Sequence, residues 1–386
     1  MIEPYMAFAI QSKTYGCTSR EDIKKNLHNL IPQIEGCLYM GDVLYPTKLV
    51  VLSEGALQGF YDEHSRMDHV EACKKIAITL PGEESERLAE VAKKWKVYLV
   101  AQAKVLEPDI IKDRFFNTAF IIDPEGNIIH KHRKGRVFTP ESTTTPWDVY
   151  DIWKEKVGEG LDAFYPVADT PIGRIGTMIC YEGYFCETGR MLALNGAEIL
   201  CRGGELEHHC NIGVWEVMNR AHAVNNSCYM VAANSGPKFH TTSESVPSMT
   251  GSTGSDTMIC NYRGQIMSRV DKPHVSYAAA VINIEELRTF RVKGMMSLLP
   301  HVSADLWGEL YLEAAKKFCW PKNLYAEEAP PLYPERKKFY KDIVDQMIRK
   351  GLLSPPEGFE LHERIEEYEE PQKGEGQQKE EELVKK

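Results

Sequence analysis

Three residues with reactive side chains lie at the ends of apolar, β-branched segments of the sequence. Cys180 and Glu54 stand where two such segments end, and Lys134 lies in a basic run just after a third. A thiolate is a good nucleophile toward carbon, and a carboxylate can remove the proton of a thiol and later activate water. An ammonium can stabilise the negative oxygen of a tetrahedral intermediate. Together these side chains would support covalent catalysis at an acyl carbon.

Each of these residues also has an ordinary structural explanation. Most buried cysteines are small core residues, and most glutamates are exposed, so a solvated Glu54 is the commoner interpretation. A basic run such as 130–136 is usually a solvated face or an anion site, and it does not indicate which lysine points inward. Residue types and pattern alone leave both interpretations open.

The segments that would position these residues alternate between apolar runs typical of buried strands and amphipathic runs typical of helices. This alternation favours an α/β class. Turn residues at 123–127 and 261–264 predict hairpins, which implies a mixed sheet rather than an all-parallel one. The predicted strands are 8–11, 49–52, 97–101, 118–122, 175–180, 199–201 and 228–232, and the predicted helices are 20–34, 84–95, 187–194 and 214–224.

The composition changes after about residue 290. The segment 329–334 is rich in proline and aromatic residues and predicts an extended arm that packs on this subunit or on a neighbour. Glu, Lys and Gln dominate 366–386, which predicts a disordered tail. We therefore expect a main domain over 1–290, a C-terminal extension over 291–365 that contributes to oligomer contacts, and the tail.

The overall composition excludes several classes of protein. The chain has 386 residues and a formal net charge of −10, whereas a nucleic-acid interface would need a basic surface. No apolar run approaches the roughly 20 residues of a membrane helix, and the first residues do not resemble a signal peptide. Ten scattered cysteines without CxxC spacing are typical of a reduced cytoplasmic protein. No pattern indicates a metal or a phosphate-containing cofactor.

Three ordered motifs resemble those of the nitrilase superfamily of carbon–nitrogen hydrolases. They are LVVLSEGALQG (49–59), KHRK (131–134) and GTMICYEGYFCE (176–187), and four further stretches agree in order and rough spacing. The resemblance covers about residues 5–312 and is closest to the aliphatic amidase branch. It implies a four-layer αββα sandwich, hydrolysis of a small-molecule amide through a cysteine thioester, no cofactor, and a homodimer or larger homo-oligomer.

The resemblance also implies the catalytic residues. Glu54 matches the base, Lys134 the oxyanion lysine and Cys180 the nucleophile of the superfamily's Glu–Lys–Cys triad. This match selects Lys134 from the basic run, which the residue types alone do not.

Residues that would support substrate or oxyanion follow from the same resemblance. Glu141 is the candidate for a second glutamate that orients substrate and lysine, and the backbone N–H of Tyr181 is the candidate second oxyanion donor. Phe138 is the nearest counterpart of an aromatic residue that packs on small amides. Departures from the family pattern add Arg136 and Arg202, which would bind an acidic or polar substrate group through bidentate contacts. Alternatively, Arg202 would form a structural ion pair.

Other activities stay open at this point. The sequence is also compatible with an N-carbamoyl amide hydrolase or a nitrilase of the same superfamily, although Tyr181 stands where nitrilases usually have tryptophan. An acyltransferase would use the same thioester. A non-catalytic binding or assembly module is disfavoured, because a scaffold has no reason to keep three costly polar groups in one pocket.

Overall fold

The computed structural model describes residues 1–65, 67–205, 213–240 and 254–361. The strands are β1 Tyr5–Gln11, β2 Thr14–Tyr15, β3 Thr47–Leu52, β4 Tyr98–Leu106, β5 Phe115–Ile122, β6 Ile128–Arg133, β7 Val167–Thr170, β8 Gly173–Ile179, β9 Ile199–Gly204, β10 Tyr229–Asn234, β11 Lys238–Phe239, β12 Thr257–Cys260, β13 Ile266–Val270 and β14 Ser276–Ile282.

Helices connect most of these strands and form the C-terminal segment. They are α1 Arg20–Leu44, α2 Tyr61–Ser65, α3 His69–Lys75, α4 Glu83–Trp95, α5 Tyr150–Lys156, α6 Leu161–Phe164, α7 Cys186–Leu194, α8 Val214–Asn226, α9 Ile284–Lys293, α10 Ala304–Ala315 and α11 Tyr333–Arg349, with short 3-10 helices at Cys180–Tyr184 and Leu299–His301.

Two mixed six-stranded sheets form the centre of the molecule. Their strand orders are β14-β1-β3-β4-β5-β6 and β13-β12-β10-β9-β8-β7. Within the first sheet, β1 and β3 pair in parallel, whereas β4, β5 and β6 pair antiparallel. The turn at 123–127 joins β5 to β6 and the turn at 261–264 joins β12 to β13, so both predicted hairpins are confirmed.

The four central strands of the first sheet, β1, β3, β4 and β5, are buried on both faces. Along β1, Tyr5, Ala7 and Ala9 pack between the two sheets, while the alternate residues Met6 and Phe8 pack against the outer helices. Successive side chains of a strand point to opposite faces of the sheet. A strand that is buried on both faces therefore has apolar residues at consecutive positions in the sequence. Helices α1, α3 and α4 cover the first sheet, and α7 and α8 cover the second. The predicted four-layer αββα sandwich is confirmed.

The C-terminal segment differs from the extended arm expected from its composition, because it contains α10 and α11. In α11, Phe339, Ile343 and Met347 recur every four residues, and Pro334 occupies the first turn, where a proline is tolerated. The segment packs on this subunit, since Asn323 N donates to Trp147 O at 3.0 Å. The tail predicted over 366–386 lies outside the described residues.

Candidate active site

Glu54, Lys134 and Cys180 meet where strands of both sheets end. Glu54 follows β3 after one residue, Lys134 directly follows β6, and Cys180 directly follows β8. The backbone N–H of Lys134 donates to Asn117 O at 2.8 Å, which fixes the end of β6 against β5. All three side chains are at least nine-tenths buried. The solvated interpretation of Glu54 and of Lys134 is therefore wrong.

Lys134 is the centre of the cluster. Its Nζ donates to Glu54 Oε1 at 2.9 Å and to Glu141 Oε1 at 2.6 Å, and its side chain is fully buried. Burial lowers the pKa of the ammonium, but Glu141 and Glu54 together raise it by more, so the pKa lies well above its ordinary value. Lys134 is a fixed positive charge at neutral pH.

A chain of amide side chains holds the Glu54 carboxylate. Asn117 Nδ2 donates to Glu54 Oε1 at 3.0 Å, and Gln102 Nε2 donates to Asn117 Oδ1. Gln102 Oε1 in turn accepts from the backbone N–H of Gly55 at 2.9 Å. The hydrogen bonds from Asn117 and from Lys134 both end on Oε1 of Glu54. Its Oε2 is therefore the oxygen available for proton transfer. Asn117 and Gln102 were not predicted from the sequence, because nothing in a strand pattern marks a buried amide.

Cys180 occupies a strained backbone position between β8 and the 3-10 helix Cys180–Tyr184. Its φ of +43° lies in the left-handed region, which non-glycine residues rarely adopt. Burial raises the pKa of the thiol well above its ordinary value, Glu54 raises it further, and Lys134 lowers it. The sulfur is thus electrostatically coupled to both other residues, and the neutral thiol is the form present at neutral pH.

Arg202 holds the strained cysteine from behind. Its Nε and Nη2 donate to Cys180 O at 3.1 and 2.5 Å, and its Nη1 donates to Asn219 Oδ1 at 2.9 Å. The guanidinium packs 4.1 Å from the ring centroid of Trp215, and a Cβ at Gly183 would lie 2.2 Å from its Cζ. Arg202 therefore binds a backbone carbonyl, which is neither of the two roles considered from the sequence.

Glu182 joins the lysine segment to the cysteine segment. Its carboxylate accepts from Gly135 N at 2.8 Å, from Ile179 N at 2.8 Å and from His132 Nε2 at 2.9 Å. Burial would raise the pKa of this carboxyl, but His132 and the backbone donors lower it below its ordinary value. Gly135, next to Lys134, and Ile179, next to Cys180, thus both donate a hydrogen bond to the Glu182 carboxylate. This link was not predicted from the sequence, although Glu182 lies within the cysteine motif.

The three further candidates lie beside the cluster. Glu141 Oε1 accepts from Phe138 N at 3.0 Å as well as from Lys134, and its buried Oε2 has no hydrogen-bond partner among the described residues. Burial raises the pKa of Glu141, Lys134 lowers it and Glu54 raises it, for a net increase. The Phe138 side chain is half-exposed, and its ring centroid lies 5.7 Å from the ring centroid of Tyr181. Glu141 is thus part of the buried cluster, and Phe138 lies at its rim.

The described ranges contain neither a candidate metal centre nor a candidate membrane-spanning helix. They contain no group of three or more His, Cys, Asp or Glu side chains that could hold a metal ion. Among the same ranges, no helix is both long and apolar enough to cross a membrane.

Comparison with known proteins identifies the class. The family model described as Carbon-nitrogen hydrolase matches residues 11–291. An omega-amidase of Xenopus laevis is 32% identical over 160 residues, which are 42% of this chain and 55% of that protein. A formamidase of Bacillus cereus (strain Q1) is 30% identical over 239 residues, which are 61% of this chain and 64% of that protein. The matched region thus spans between half and two thirds of these curated relatives.

Solved structures share the fold. Saccharomyces cerevisiae Nit3, a member of branch 10 of the nitrilase superfamily, aligns with a TM-score of 0.58 at 23% identity, covering 75% of this chain and 93% of that one. An amidase of Nesterenkonia sp. AN1 in complex with acrylamide aligns with a TM-score of 0.58 at 15% identity, covering 80% and 97%. The fold and the matched sequence define a nitrilase-superfamily protein. The chain belongs to the carbon–nitrogen hydrolase family, and the resemblance seen in its motifs is confirmed.

Proposed function

We propose that this protein is a thiol amidohydrolase that cleaves the carbon–nitrogen bond of a small linear amide. The observation that carries the proposal is the buried ammonium of Lys134, bonded to Glu54 and Glu141 and electrostatically coupled to the Cys180 thiol. An ion cluster of this kind is costly to bury. Its position where three strands end supports a catalytic role.

The proposed reaction begins with proton transfer from Cys180 Sγ to Glu54. The thiolate then attacks the amide carbon, and Lys134 together with the Tyr181 N–H stabilises the oxyanion. The first N–H groups of a helix lack intrahelical partners, which supports this role for Tyr181 at the start of its 3-10 helix. Collapse of the intermediate breaks the C–N bond, and the leaving nitrogen takes the proton from Glu54. A thioester on Cys180 remains.

Hydrolysis of the thioester completes the cycle. Glu54 removes a proton from water, the resulting hydroxide attacks the thioester carbon, and the proton returns to the sulfur as the carboxylic acid departs. We assign Glu141 to hold Lys134 and to accept an N–H of the substrate amide on Oε2, and Phe138 to pack beside the substrate. Fully buried carboxylate oxygens seldom lack a partner, which supports a ligand at Oε2.

The substrate class is tested by measuring ammonia release from a panel of simple amides, ureido acids and nitriles. The names of the formamidase and omega-amidase relatives support amides as the substrate. We expect turnover of small amides and little with the other two classes. Preferential turnover of a ureido acid or a nitrile would contradict the amide assignment, and added hydroxylamine would reveal acyl transfer.

The ionisation state of Cys180 gives a pH prediction. Because its pKa is raised, the thiolate population grows only as the pH rises above the usual thiol range, and none is expected at neutral pH. The ultraviolet difference absorbance between the native protein and Cys180→Ala should therefore show no thiolate in neutral or acidic solution. An absorbance step below neutral pH would instead indicate a resting thiolate–Lys134 ion pair.

Glu182 gives a second prediction. In Glu182→Gln an amide NH₂ would oppose one of the two backbone N–H donors, Gly135 N or Ile179 N, so the adjoining Lys134 or Cys180 would shift. We expect kcat for ammonia release to fall by about 10²-fold, as for displacements near 1 Å, with a smaller change in KM. The exposed Glu125→Gln is the matched control, and equal kcat values for the two variants would refute the positioning role.

We also propose a cytoplasmic homo-oligomer with a hydrolase domain over 1–290 and a C-terminal arm over 291–365. Residues 362–365 lie outside the described ranges. The cysteines of the described part are free thiols, which suits a reducing compartment. Helix α10 presents a largely apolar exposed face, which supports a subunit contact there. Its exposed apolar residues are Leu306, Trp307, Leu310, Tyr311 and Leu312.

A charge on this face should break the proposed contact. Leu310 is 58% exposed in the single chain, and a buried arginine would be unpaired in an apolar interface. We expect Leu310→Arg to lower the molar mass measured by light scattering after size exclusion, while Glu125→Arg leaves it unchanged. A native protein that is already monomeric would contradict the proposal.

A further inference from the structure

A cavity lies outside the Glu54, Lys134 and Cys180 cluster. It has a volume of about 430 Å³ and lies between α11 and the loop that follows Lys134. We call it the arm cavity, because Trp320, Phe339 and Met347 of the C-terminal segment form one wall. Its size falls within the range of about 300–1,000 Å³ that is usual for small-molecule sites.

The opposite wall is the body of the enzyme. Gly135 and Arg136, which follow the lysine, and Tyr181 and Phe185, which follow the cysteine, line it. Among the described residues that line the cavity, Glu54, Lys134 and Cys180 do not occur. The arm cavity is therefore lined by chain neighbours of Lys134 and Cys180 but not by the three catalytic side chains themselves.

Two arginines line this cavity. Arg136 lies between two tryptophans, with its Cζ 5.3 Å from the Trp147 ring centroid and 5.5 Å from that of Trp320. Arg336 of α11 is 7% exposed, with its Cζ 5.4 Å from the Tyr325 ring centroid. Arg336 Nη1 is buried and has no hydrogen-bond partner within the described part of the chain. A buried donor without a partner is unfavourable unless a ligand supplies the acceptor.

One carboxyl group accompanies the two guanidiniums in the described lining. Asp148 Oδ2 accepts from Thr145 N and from Thr145 Oγ1, both at 2.9 Å, so part of its capacity is already used. Burial raises the pKa of Asp148, and Arg336 lowers it, with a net increase. Two permanent positive charges against one carboxyl leave the lining with an excess of positive charge.

We propose that the arm cavity binds a small monocarboxylate with an aromatic or branched apolar body, whose carboxylate pairs with Arg336. A guanidinium matches a carboxylate through two parallel N–H···O bonds. The remaining surface is apolar and aromatic, which suits the body of such a molecule. A neutral molecule of the same shape leaves the Arg336 donor unpaired, so it binds more weakly.

Isothermal titration of the full chain with phenylacetate, benzoate and 4-methylpentanoate tests the proposal, with 2-phenylethanol as the neutral counterpart of phenylacetate. We expect at least one carboxylate to bind with 1:1 stoichiometry. For phenylacetate we expect an affinity about tenfold or more above that of 2-phenylethanol. Absence of binding by all three acids, or equal affinity for the acid and the alcohol, would overturn the proposal.

Three variants locate the binding site. Arg336→Met should weaken carboxylate binding by about tenfold or more, and Val344→Trp, which fills the cavity from α11, should abolish it. Cys180→Ala should leave it unchanged, since Cys180 is not among the described residues that line the cavity. Thermal melting confirms that each variant is folded, and Val344→Trp still provides a test if Arg336→Met fails to fold. Unaltered binding in a folded Arg336 or Val344 variant, or loss of binding in Cys180→Ala, would place the acid elsewhere.

Discussion

Replacing Cys180 with alanine is expected to lower kcat for ammonia release by about 10⁴-fold or more, while the protein remains folded. The sulfur supplies the bond that the acyl group forms in the proposed mechanism, and no other group in the cluster can replace it. Glu54 and Lys134 hold each other at 2.9 Å without help from the thiol, so the cluster should survive. Steady-state assays and thermal melting of the same preparation measure both effects.

The nearby Cys186 provides a matched control. It lies six residues after Cys180, at the start of α7, and is exposed, so it is a cysteine of similar sequence context outside the cluster. Cys186→Ala should retain nearly native activity. Substantial turnover by Cys180→Ala, or loss of activity in Cys186→Ala, would show that the nucleophile has been misassigned.

Replacing Lys134 with methionine is expected to lower both activity and stability. Loss of the oxyanion donor should reduce kcat by about 10³-fold. It also leaves two buried carboxylates, Glu54 and Glu141, without their shared cation, and breaking a buried pair in this way costs about 3–5 kcal/mol. Urea denaturation followed by circular dichroism measures the loss of unfolding free energy.

The stability loss in Lys134→Met should depend on pH in a defined direction. Burial already raises the pKa of Glu141, and without the ammonium it should rise further. A carboxyl whose folded pKa is raised favours the folded state when protonated, so the defect should shrink as the pH falls. Lys131→Met, in the strand β6 that Lys134 directly follows but 29% exposed, is the control. A pH-independent defect, or an equal one in Lys131→Met, would contradict a buried cluster balanced by Lys134.

The sequence predicted the layers of the fold more reliably than the ends of its elements. Strand β3 was recognisable because Leu49–Leu52 is buried on both faces, as its unbroken apolar run indicated. Strand β4 extends to Leu106, well beyond the predicted end at 101. Its polar residues Gln102 and Lys104 are buried and satisfied by Asn117 and Asp62 from other elements. Such tertiary partners are invisible in a local pattern.

For the candidate site, the reactive residues were predicted from the sequence, but the residues that position them were not. Residue types placed Cys180 and Glu54 at strand ends, but only the family resemblance selected Lys134 from its basic run. The contacts that Arg202 and Glu182 make with the backbone near the cysteine could not be predicted from the sequence. A side chain that binds a main-chain group produces no characteristic spacing of residues. Helix α11 was missed because the prolines that precede it dominated the composition of the segment.

In the proposed mechanism Cys180 carries the acyl group, and mass spectrometry of a reaction with a slowly hydrolysed small amide detects this intermediate. After rapid acid quenching, we expect one acyl group per chain on the peptide that contains Cys180. The adduct should form as ammonia appears and should be absent from Cys180→Ala. An acyl group on any other residue, or amide turnover by the alanine variant at the native rate, would show that Cys180 is not the nucleophile.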